Sequence, residues 1–227
     1  MSRTGWSTAN FMRYGGSITG MPLTIAAWGY TTTIAGVGHM MVGLFQGTAT
    51  GSSDSITLSL SGTAVVADCT GGSGGGQAIT STPPPTNTWF HACGVYTSTT
   101  SRAAYINGGS KGTDTTSTTT PFPSRTSIGK RDNASNDRAF GAGGTGYLAD
   151  VAIWNVALTD AEVLSLSKGF SPLLVRPSAL VFYSPLYGVG SSEPNLINSA
   201  AEATINGTLT QGFHPPIIMP RRPLITR

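Results

Sequence analysis

The acidic residues of this chain do not form the pair of carboxylates that glycoside hydrolysis requires. Glycosidases place two carboxylates about 5–9 Å apart, and a strand of the pattern E-x-D-x-E, absent here, would put alternate acids on one sheet face. Of the three glutamates, Glu162 is better explained as a helix cap, while Glu193 and Glu202 fall in predicted loops. Asp150 is the one acid inside a predicted strand, where we expect a structural role in which it accepts hydrogen bonds from a nearby loop. The sequence therefore predicts a protein without enzymatic activity.

The histidines and cysteines show no catalytic or metal-binding pattern either. His39 lies near a predicted turn, His91 on a predicted core strand and His214 in the C-terminal tail, and no Ser or Cys nucleophile stands beside them in a recognisable spacing. Cys69 sits in a glycine-rich loop context and Cys93 in the core strand. Both are expected to be free thiols, with a disulfide as the alternative in an oxidising compartment.

Oxygen ligands for a hard cation are concentrated in one segment, KRDNASNDR at residues 130–138. Ca²⁺ prefers such oxygens. The candidate ligands are Asp132, Asn133, Asn136 and Asp137. Lys130, Arg131 and Arg138 flank them and would repel the ion, and the spacing matches no EF-hand loop. A polar turn without metal is the expectation and Ca²⁺ the alternative; no other cofactor is suggested.

The glycine-rich run GGSGGG at residues 71–76 is expected to be a flexible loop. A phosphate-binding loop would need a following Lys-Ser or Lys-Thr pair and a helix start, and the sequence predicts neither here.

Aromatic side chains are the remaining candidates for ligand contact. A sugar site on a β-sandwich needs exposed rings that stack on pyranose faces. The candidates are Trp6, Tyr14, Tyr30 and Tyr147. Core packing is the expected role of Tyr30 and Tyr147.

A strand and a short capped helix are predicted over residues 146–169. The run GYLADVAIW at residues 146–154 has the two-residue periodicity of a strand. Both of its faces are mostly apolar, which predicts a strand in the middle of a sheet. Trp154, at its end, is expected to have a structural role. Thr159 and Glu162 have the spacing of a capping box. Lys168 and Gly169 suit the end of the helix. The predicted apolar stripe consists of Val163, Leu164 and Leu166.

The other segments predict short antiparallel strands. Asn107-Gly108, after Tyr105-Ile106, is a strong hairpin signal because both turn positions need positive φ. Thirty glycines, many threonines and serines, and regularly spaced turn signals predict a sandwich or barrel.

Four segments of the chain together resemble the laminin-G-like, or concanavalin A-like, jelly-roll domains. Residues 22–30 resemble the FTISAWV strand, residues 88–112 the W-x-H-x-A-x-V-Y strand and Y-[VI]-N-G hairpin, residues 126–131 the S-x-x-I-G strand, and residues 146–163 the closing strand and helix. The resemblance implies an all-β, two-sheet antiparallel jelly-roll sandwich with one short helix.

The order of the strands departs from that family. A run resembling its opening strand, LVFYSPL at residues 180–186, and a run resembling the companion segment, INGTL at residues 205–209, follow the helix instead of preceding it. We therefore predict one sandwich over residues 1–212 that includes circularly permuted strands within residues 179–209. Termini that lie close together make permutation tolerable.

Residues 213–227 are predicted to form an extended Pro/Arg-rich arm. Prolines favour an extended backbone, and a solvated tail would not need the apolar residues present. The arm residues predicted to contact a neighbouring subunit are Ile217, Ile218, Arg221, Arg222 and Leu224.

Composition narrows the partners. Charged residues are 10% of the chain, against about 25% in average proteins, and the net charge of +3 comes from scattered basic residues, so no specific nucleic acid is expected. No apolar run is long enough for a membrane span, and no signal-peptide apolar region follows MSRTGWSTAN. We expect synthesis in the host cytoplasm and no membrane partner.

Two function classes remain. The first is a non-enzymatic structural or adhesive virion protein, such as a phage capsid decoration, tail or fibre-associated protein, that contacts other virion subunits and copies of itself. This class is favoured by the expected lack of a signal peptide and of catalytic residues, by the low content of charged residues and by the C-terminal arm. The alternative is a lectin-like carbohydrate-binding module whose partner is a surface glycan.

Overall fold

A computed structural model describes residues 1–15, 18, 20–34, 38–46, 54–71, 74–119, 123–132, 138–141, 145–187, 192–199 and 202–218. Within these residues the strands are β1 (Ser2–Thr4), β2 (Phe11–Gly15), β3 (Leu23–Tyr30), β4 (His39–Phe45), β5 (Ser55–Ser61), β6 (Ala64–Gly71), β7 (Gly74–Ile79), β8 (Phe90–Ser98), β9 (Ser101–Ile106), β10 (Gly109–Asp114), β11 (Arg125–Ile128), β12 (Tyr147–Trp154), β13 (Leu180–Ser184), β14 (Thr204–Asn206) and β15 (Thr210–Gly212). Helix α1 spans Asp160–Ser167, and short 3-10 turns span Pro172–Leu174 and Pro177–Ala179. No helix in these ranges is long and apolar enough to cross a membrane.

The strands form two antiparallel sheets, which confirms the expected sandwich. The first has the order β10-β9-β8-β3-β12-β1-β15, with β13 also paired to β12, and the second has the order β14-β2-β11-β4-β5-β6-β7. Alternate residues of each strand face the other sheet, as Leu23, Ile25 and Ala27 of β3 do. The main core therefore lies between the sheets.

A second apolar layer covers part of the outer face of the first sheet. It contains Cys93, Ala152 and Trp154 from the sheet and Val163 and Leu166 from α1. Leu164, predicted in the same stripe, is 43% exposed, because successive residues of a helix point about 100° apart and Leu164 lies one position beyond the buried face.

Helix α1 begins with a reciprocal capping box. The Thr159 hydroxyl accepts a hydrogen bond from the Glu162 backbone N–H, and the Glu162 carboxylate accepts one from the Thr159 backbone N–H at 2.8 Å. The helix is followed by Gly169 at φ +87°, and the Phe170 N–H bonds back to the Ser165 carbonyl. This local sequence thus sets both helix ends.

Strand β12 changes its neighbour at Asp150. Residues before it pair with β1, as Leu148 does with Arg3, whereas residues after it pair with β13, as Val151 does with Ser184. Asp150 itself has φ +48°, and the pairing with β3 shifts register at this point. A β-bulge here thus lets two short strands share one edge of β12.

The C-terminal strands complete both sheets. Strand β14 pairs with β2 in the second sheet, and β15 pairs with β1 in the first. Residues 213–218, the C-terminal segment, then lie on the same sandwich: the Ile218 N–H donates to the Gly169 carbonyl at 2.6 Å, and the Ile218 carbonyl accepts from the Ser171 N–H at 3.0 Å. The described part of the predicted extended arm is therefore held by backbone groups of the chain itself.

Side chains in the predicted arm differ in their surroundings. Pro215 is buried and Ile217 partly buried, while Ile218 is 49% exposed. Arg221, Arg222 and Leu224 lie outside the described residues.

The described glycines of the run predicted as a loop lie in strands: Gly71 ends β6, and Gly74, Gly75 and Gly76 begin β7. Gly74–Ile79 forms β7 beside β6, and Cys69 lies buried in β6. A Cβ at Gly76 would lie 1.7 Å from the Arg102 guanidinium, so the glycine makes room for a buried arginine that β9 inserts between the sheet edges.

Candidate functional site

A row of aromatic side chains crosses three neighbouring strands on the outer face of the first sheet. Tyr147 of β12 stands opposite Tyr30 of β3, with ring centroids 5.3 Å apart. Trp89 lies just before β8, one residue beyond the Gly29–Phe90 pair, and its ring is 6.0 Å from that of Tyr30. All three side chains are partly buried, so the row reaches the surface.

Phe213 caps this row. Its ring centroid lies 4.9 Å from Tyr30, 4.8 Å from Tyr147 and 5.5 Å from Trp89. The Phe213 side chain is itself half exposed, at 50%. We call Tyr30, Trp89, Tyr147 and Phe213 the aromatic surface.

Neighbouring backbone holds the aromatic surface in place. The Tyr147 ring lies against Gly212, where a Cβ would approach it to 2.3 Å. The Ser2 hydroxyl donates a hydrogen bond to the Phe213 carbonyl at 2.5 Å. Rings fixed before a ligand arrives lower the entropy cost of binding.

An unsatisfied donor accompanies the rings. The Trp89 indole Nε1 is buried and has no hydrogen-bond partner within the described chain. Buried polar groups almost always find a partner, so this unpaired N–H is unusual among the described residues.

The next row along the same strands contains the partly buried Trp28 and the buried His91. Trp28 pairs with His91 across β3 and β8, with centroids 5.4 Å apart. His91 is 2% exposed, and burial lowers the pKa of its imidazole to about 3. The buried His91 side chain is therefore uncharged at ordinary pH.

The sequence identified half of this surface. Tyr30 and Tyr147 were candidates, although packing in the core was expected of both, whereas Trp6 and Tyr14 are buried in the main core at 0% and 2% exposure. Trp89 was not among the candidates, although its two-residue spacing from His91 indicated that both side chains lie on the same face of a strand. Nothing local marks Phe213, because tertiary pairing of β15 with β1 places it.

The predicted structural acid Asp150 lies beneath the C-terminal segment. One carboxylate oxygen accepts a hydrogen bond from the Tyr183 hydroxyl at 2.5 Å, and the other lies 3.0 Å from His214 Nε2. Burial and the Asp150 carboxylate raise the pKa of Tyr183, so Tyr183 remains a donor. Asp150 thus contacts β13 through Tyr183 and the C-terminal segment through His214.

The other predicted structural residues also serve packing and caps. The Trp154 indole N–H donates to the Val175 carbonyl at 2.8 Å. Glu162 accepts a hydrogen bond from Arg176 at 2.7 Å besides capping α1.

Asp132, the first candidate calcium ligand, is held by two arginines. Arg13 and Arg125 each approach it to within 2.8 Å. Burial raises the pKa of the Asp132 carboxyl, but the hydrogen bonds and charges of both arginines outweigh this, and the net pKa is lowered. The structure finds no cluster of three or more His, Cys, Asp or Glu side chains suited to a metal in the ranges it describes. Asn133, Asn136 and Asp137 lie outside those ranges.

A groove of about 370 Å³ lies on the same sheet face, beside α1. Its charged groups bind each other: Lys111 pairs with Asp160 at 2.9 Å, and the Tyr105 hydroxyl donates to Asp160 at 2.7 Å. Burial and the hydrogen bond to Asp160 raise the pKa of Tyr105 to about 12. Because these polar atoms are mutually engaged, the groove offers a ligand less than the aromatic surface does.

Comparison with protein families decides the classification. Residues 7–164 match the family model Laminin_G_3, described as the concanavalin A-like lectin/glucanases superfamily. The chain belongs to this superfamily. No curated protein sequence matches this concanavalin A-like chain significantly.

Solved structures of similar fold support that classification. A Bacteroides ovatus protein described as carbohydrate binding has a TM-score of 0.63 at 17% identity, over 96% of this chain and 62% of its own length. The heptameric SAP-like pentraxin of Limulus polyphemus has a TM-score of 0.53 at 16% identity, over 73% and 81%. Domains LG4-5 of the mouse laminin α1 chain have a TM-score of 0.51 at 14% identity, over 67% and 40%. At these identities the likeness concerns the fold of this concanavalin A-like chain.

Proposed function

We propose that this protein is a non-enzymatic, lectin-like carbohydrate-binding module whose ligand contacts the aromatic surface. The observation that carries the proposal is the row of Tyr147, Tyr30 and Trp89 capped by the half-exposed Phe213. The description of the Bacteroides ovatus protein as carbohydrate binding supports the same function.

The chemistry of the surface suits a sugar ring. One face of a pyranose presents C–H groups that pack on an aromatic face, while its hydroxyls need hydrogen-bond partners. Phe213 supplies the exposed ring. The buried Trp89 N–H supplies a donor without a partner in the described chain. The ligand class is therefore a neutral or weakly charged glycan with one apolar ring face.

A glycan array followed by calorimetry of the bound glycans tests this function. Phe213→Ala should lower affinity about tenfold, a loss of about 1.4 kcal/mol, because it removes the exposed ring without opening the main core. Trp89→Phe keeps most of the apolar area but removes the indole N–H, so it should weaken binding less.

The matched control is Phe170→Ala, since Phe170 is 41% exposed but lies at the end of α1. Its affinity should equal that of the unaltered protein. An array on which the unaltered protein binds no glycan, or equal losses for Phe213→Ala and Phe170→Ala, would contradict the proposal.

The virion role predicted from the sequence has no support from the comparisons. It depended partly on an arm whose residues 213–218 lie on the sandwich. The virion remains a sequence-based prediction of location, and a glycan-binding module is compatible with adhesion by such a particle.

A further inference from the structure

A second polar concavity lies on the opposite side of the molecule, on the outer face of the second sheet. Its lining includes Thr57 and Ser59 of β5, Asp68 of β6, Gln77 of β7, Arg131 and Arg138. We call it the arginine groove. Its cavity volume is about 40 Å³, whereas one water needs about 10–15 Å³ measured in this way. The groove thus has room for one small polar group, not for a whole sugar ring.

The two arginines differ from the other arginines that the structure describes. Those others each pair with a carboxylate: Arg3 with Glu193, Arg13 and Arg125 with Asp132, Arg102 with Asp114, and Arg176 with Glu162. The guanidinium groups of Arg131 and Arg138 form no ion pair or hydrogen bond with any described residue, and Arg131 Nε is buried without an acceptor.

Backbone contacts fix these arginines next to each other. The Arg131 N–H donates to the Arg138 carbonyl at 2.7 Å, and Lys130 and Ala139 form a β-bridge beside them. The Arg138 side chain lies against Gly38, where a Cβ would approach its Nη1 to 2.7 Å. Two positive charges are thereby held at one groove in the absence of a ligand.

The one carboxylate in the lining does not neutralise them. Asp68 accepts hydrogen bonds from Thr70 at 2.7 Å and Gln77 at 2.6 Å, and it lies beyond ion-pair distance from both arginines. Burial lowers the pKa of Arg131; the charge of Asp68 opposes this and that of Arg138 adds to it. An anion in the groove would oppose the positive charge that these two arginines place there.

We propose that the arginine groove binds one anionic substituent, a carboxylate or a sulfate ester, of an acidic saccharide. The planar guanidinium fork matches the paired oxygens of such groups. The small volume admits the charged substituent alone, while Ser59 and the exposed Ser61 of the lining offer hydroxyls to a sugar. This site is separate from the aromatic surface, and the choice of a saccharide as the carrier of the anion rests on the proposed function.

Calorimetric titration with tetragalacturonate tests the site, with its fully methyl-esterified form as the uncharged match. The acid should bind and the ester should not, and affinity should fall between about 50 and about 300 mM NaCl because salt screens the charges. Arg131→Gln and Arg138→Gln should each weaken binding about tenfold. Arg131→Lys, which keeps the charge but loses the fork, should lie between them and the unaltered protein.

Arg176→Gln is the matched control, because it removes an equal charge beside α1, and it should bind tetragalacturonate normally. Thermal melting of every variant verifies folding. The proposal is overturned if the acid and the ester bind equally. It is also overturned if neither the acid nor a chondroitin sulfate tetrasaccharide binds, or if the folded Arg131→Gln and Arg138→Gln proteins bind with unchanged affinity. Inorganic sulfate binding as tightly as the sulfated tetrasaccharide would overturn the saccharide assignment.

The two proposals fail separately. Phe213→Ala should leave tetragalacturonate binding unchanged. If it abolishes that binding while Arg131→Gln does not, the acidic saccharide occupies the aromatic surface, and the groove proposal alone is wrong.

Discussion

At the residue scale, a buried ion pair joins distant parts of the sequence. Arg3 and Glu193, with side chains 3% and 0% exposed, meet at 2.6 Å, and Arg3 also donates to the Leu209 carbonyl at 3.1 Å. Removing one partner leaves the other charge buried without compensation.

We therefore predict that Arg3→Met or Glu193→Met lowers the free energy of unfolding by about 3–5 kcal/mol. The double variant should lose much less than the sum, because it leaves no lone buried charge. Urea unfolding of the three variants measures this. Single variants within about 1 kcal/mol of the unaltered protein would show that the pair contributes as little as a surface pair.

His91 predicts a pH dependence of stability. Its folded pKa of about 3 lies below the unfolded value of about 6.5, so between these values the unfolded chain binds a proton that the folded chain does not. Protonation of His91 therefore does not lower the free energy of unfolding above about pH 6.5. Below that pH the free energy of unfolding falls by up to about 1.4 kcal/mol per pH unit. His91→Phe should therefore show a flatter decline of the urea midpoint between about pH 6.5 and pH 4; parallel curves for the two proteins would contradict this.

At the element scale, the turns and helix caps that depend on residues close together in the sequence could be predicted. Asn107 and Gly108 have φ of 50° and 73°, as their hairpin requires, and Thr159 and Glu162 cap α1 as their spacing indicates. These features depend on neighbours in sequence, and the two-sheet fold that they predicted is confirmed.

Features that depend on distant partners were not predictable. Gly76 of strand β7 leaves space for Arg102 of a distant strand, and Glu193, predicted in a loop without a role, is buried against Arg3. The aromatic surface needs Phe213, which β15 positions. The arginine groove depends on Arg131 and Arg138, for which the sequence indicated only that their charges would repel a cation.

The permuted order remains our proposal, with residues 179–209 as the displaced strands of one sandwich over residues 1–212. Truncation after Gly169 should unfold or aggregate the protein, because it removes β13 from β12 and uncovers strand edges. Deletion of residues 219–227 removes no described strand and serves as the control. Thermal melting and light scattering measure both, and unchanged melting after Gly169 truncation would contradict the permutation.

At the scale of the whole molecule, the sandwich presents two chemically different faces. The aromatic surface lies on the outside of the first sheet and the arginine groove on the outside of the second. A single polysaccharide residue cannot contact both, since the core separates them. If both proposals hold, the protein would bind two ligands, or two chains of one matrix, on opposite faces.

The antiparallel pairing of β1 with β15 also makes the sandwich responsive to tension. Ser2 lies opposite Gly212 and Thr4 opposite Thr210, so the chain enters and leaves at the same end of this pair. A pull on residues 1 and 213 loads the hydrogen bonds between these strands one after another and not together, which opens the pair at low force. Phe213 would leave Tyr30, Trp89 and Tyr147 in the first step. A protein tethered through both ends would therefore lose the bonds of Ile218 to Gly169 and Ser171 first, and the Phe213 cap of its aromatic surface next.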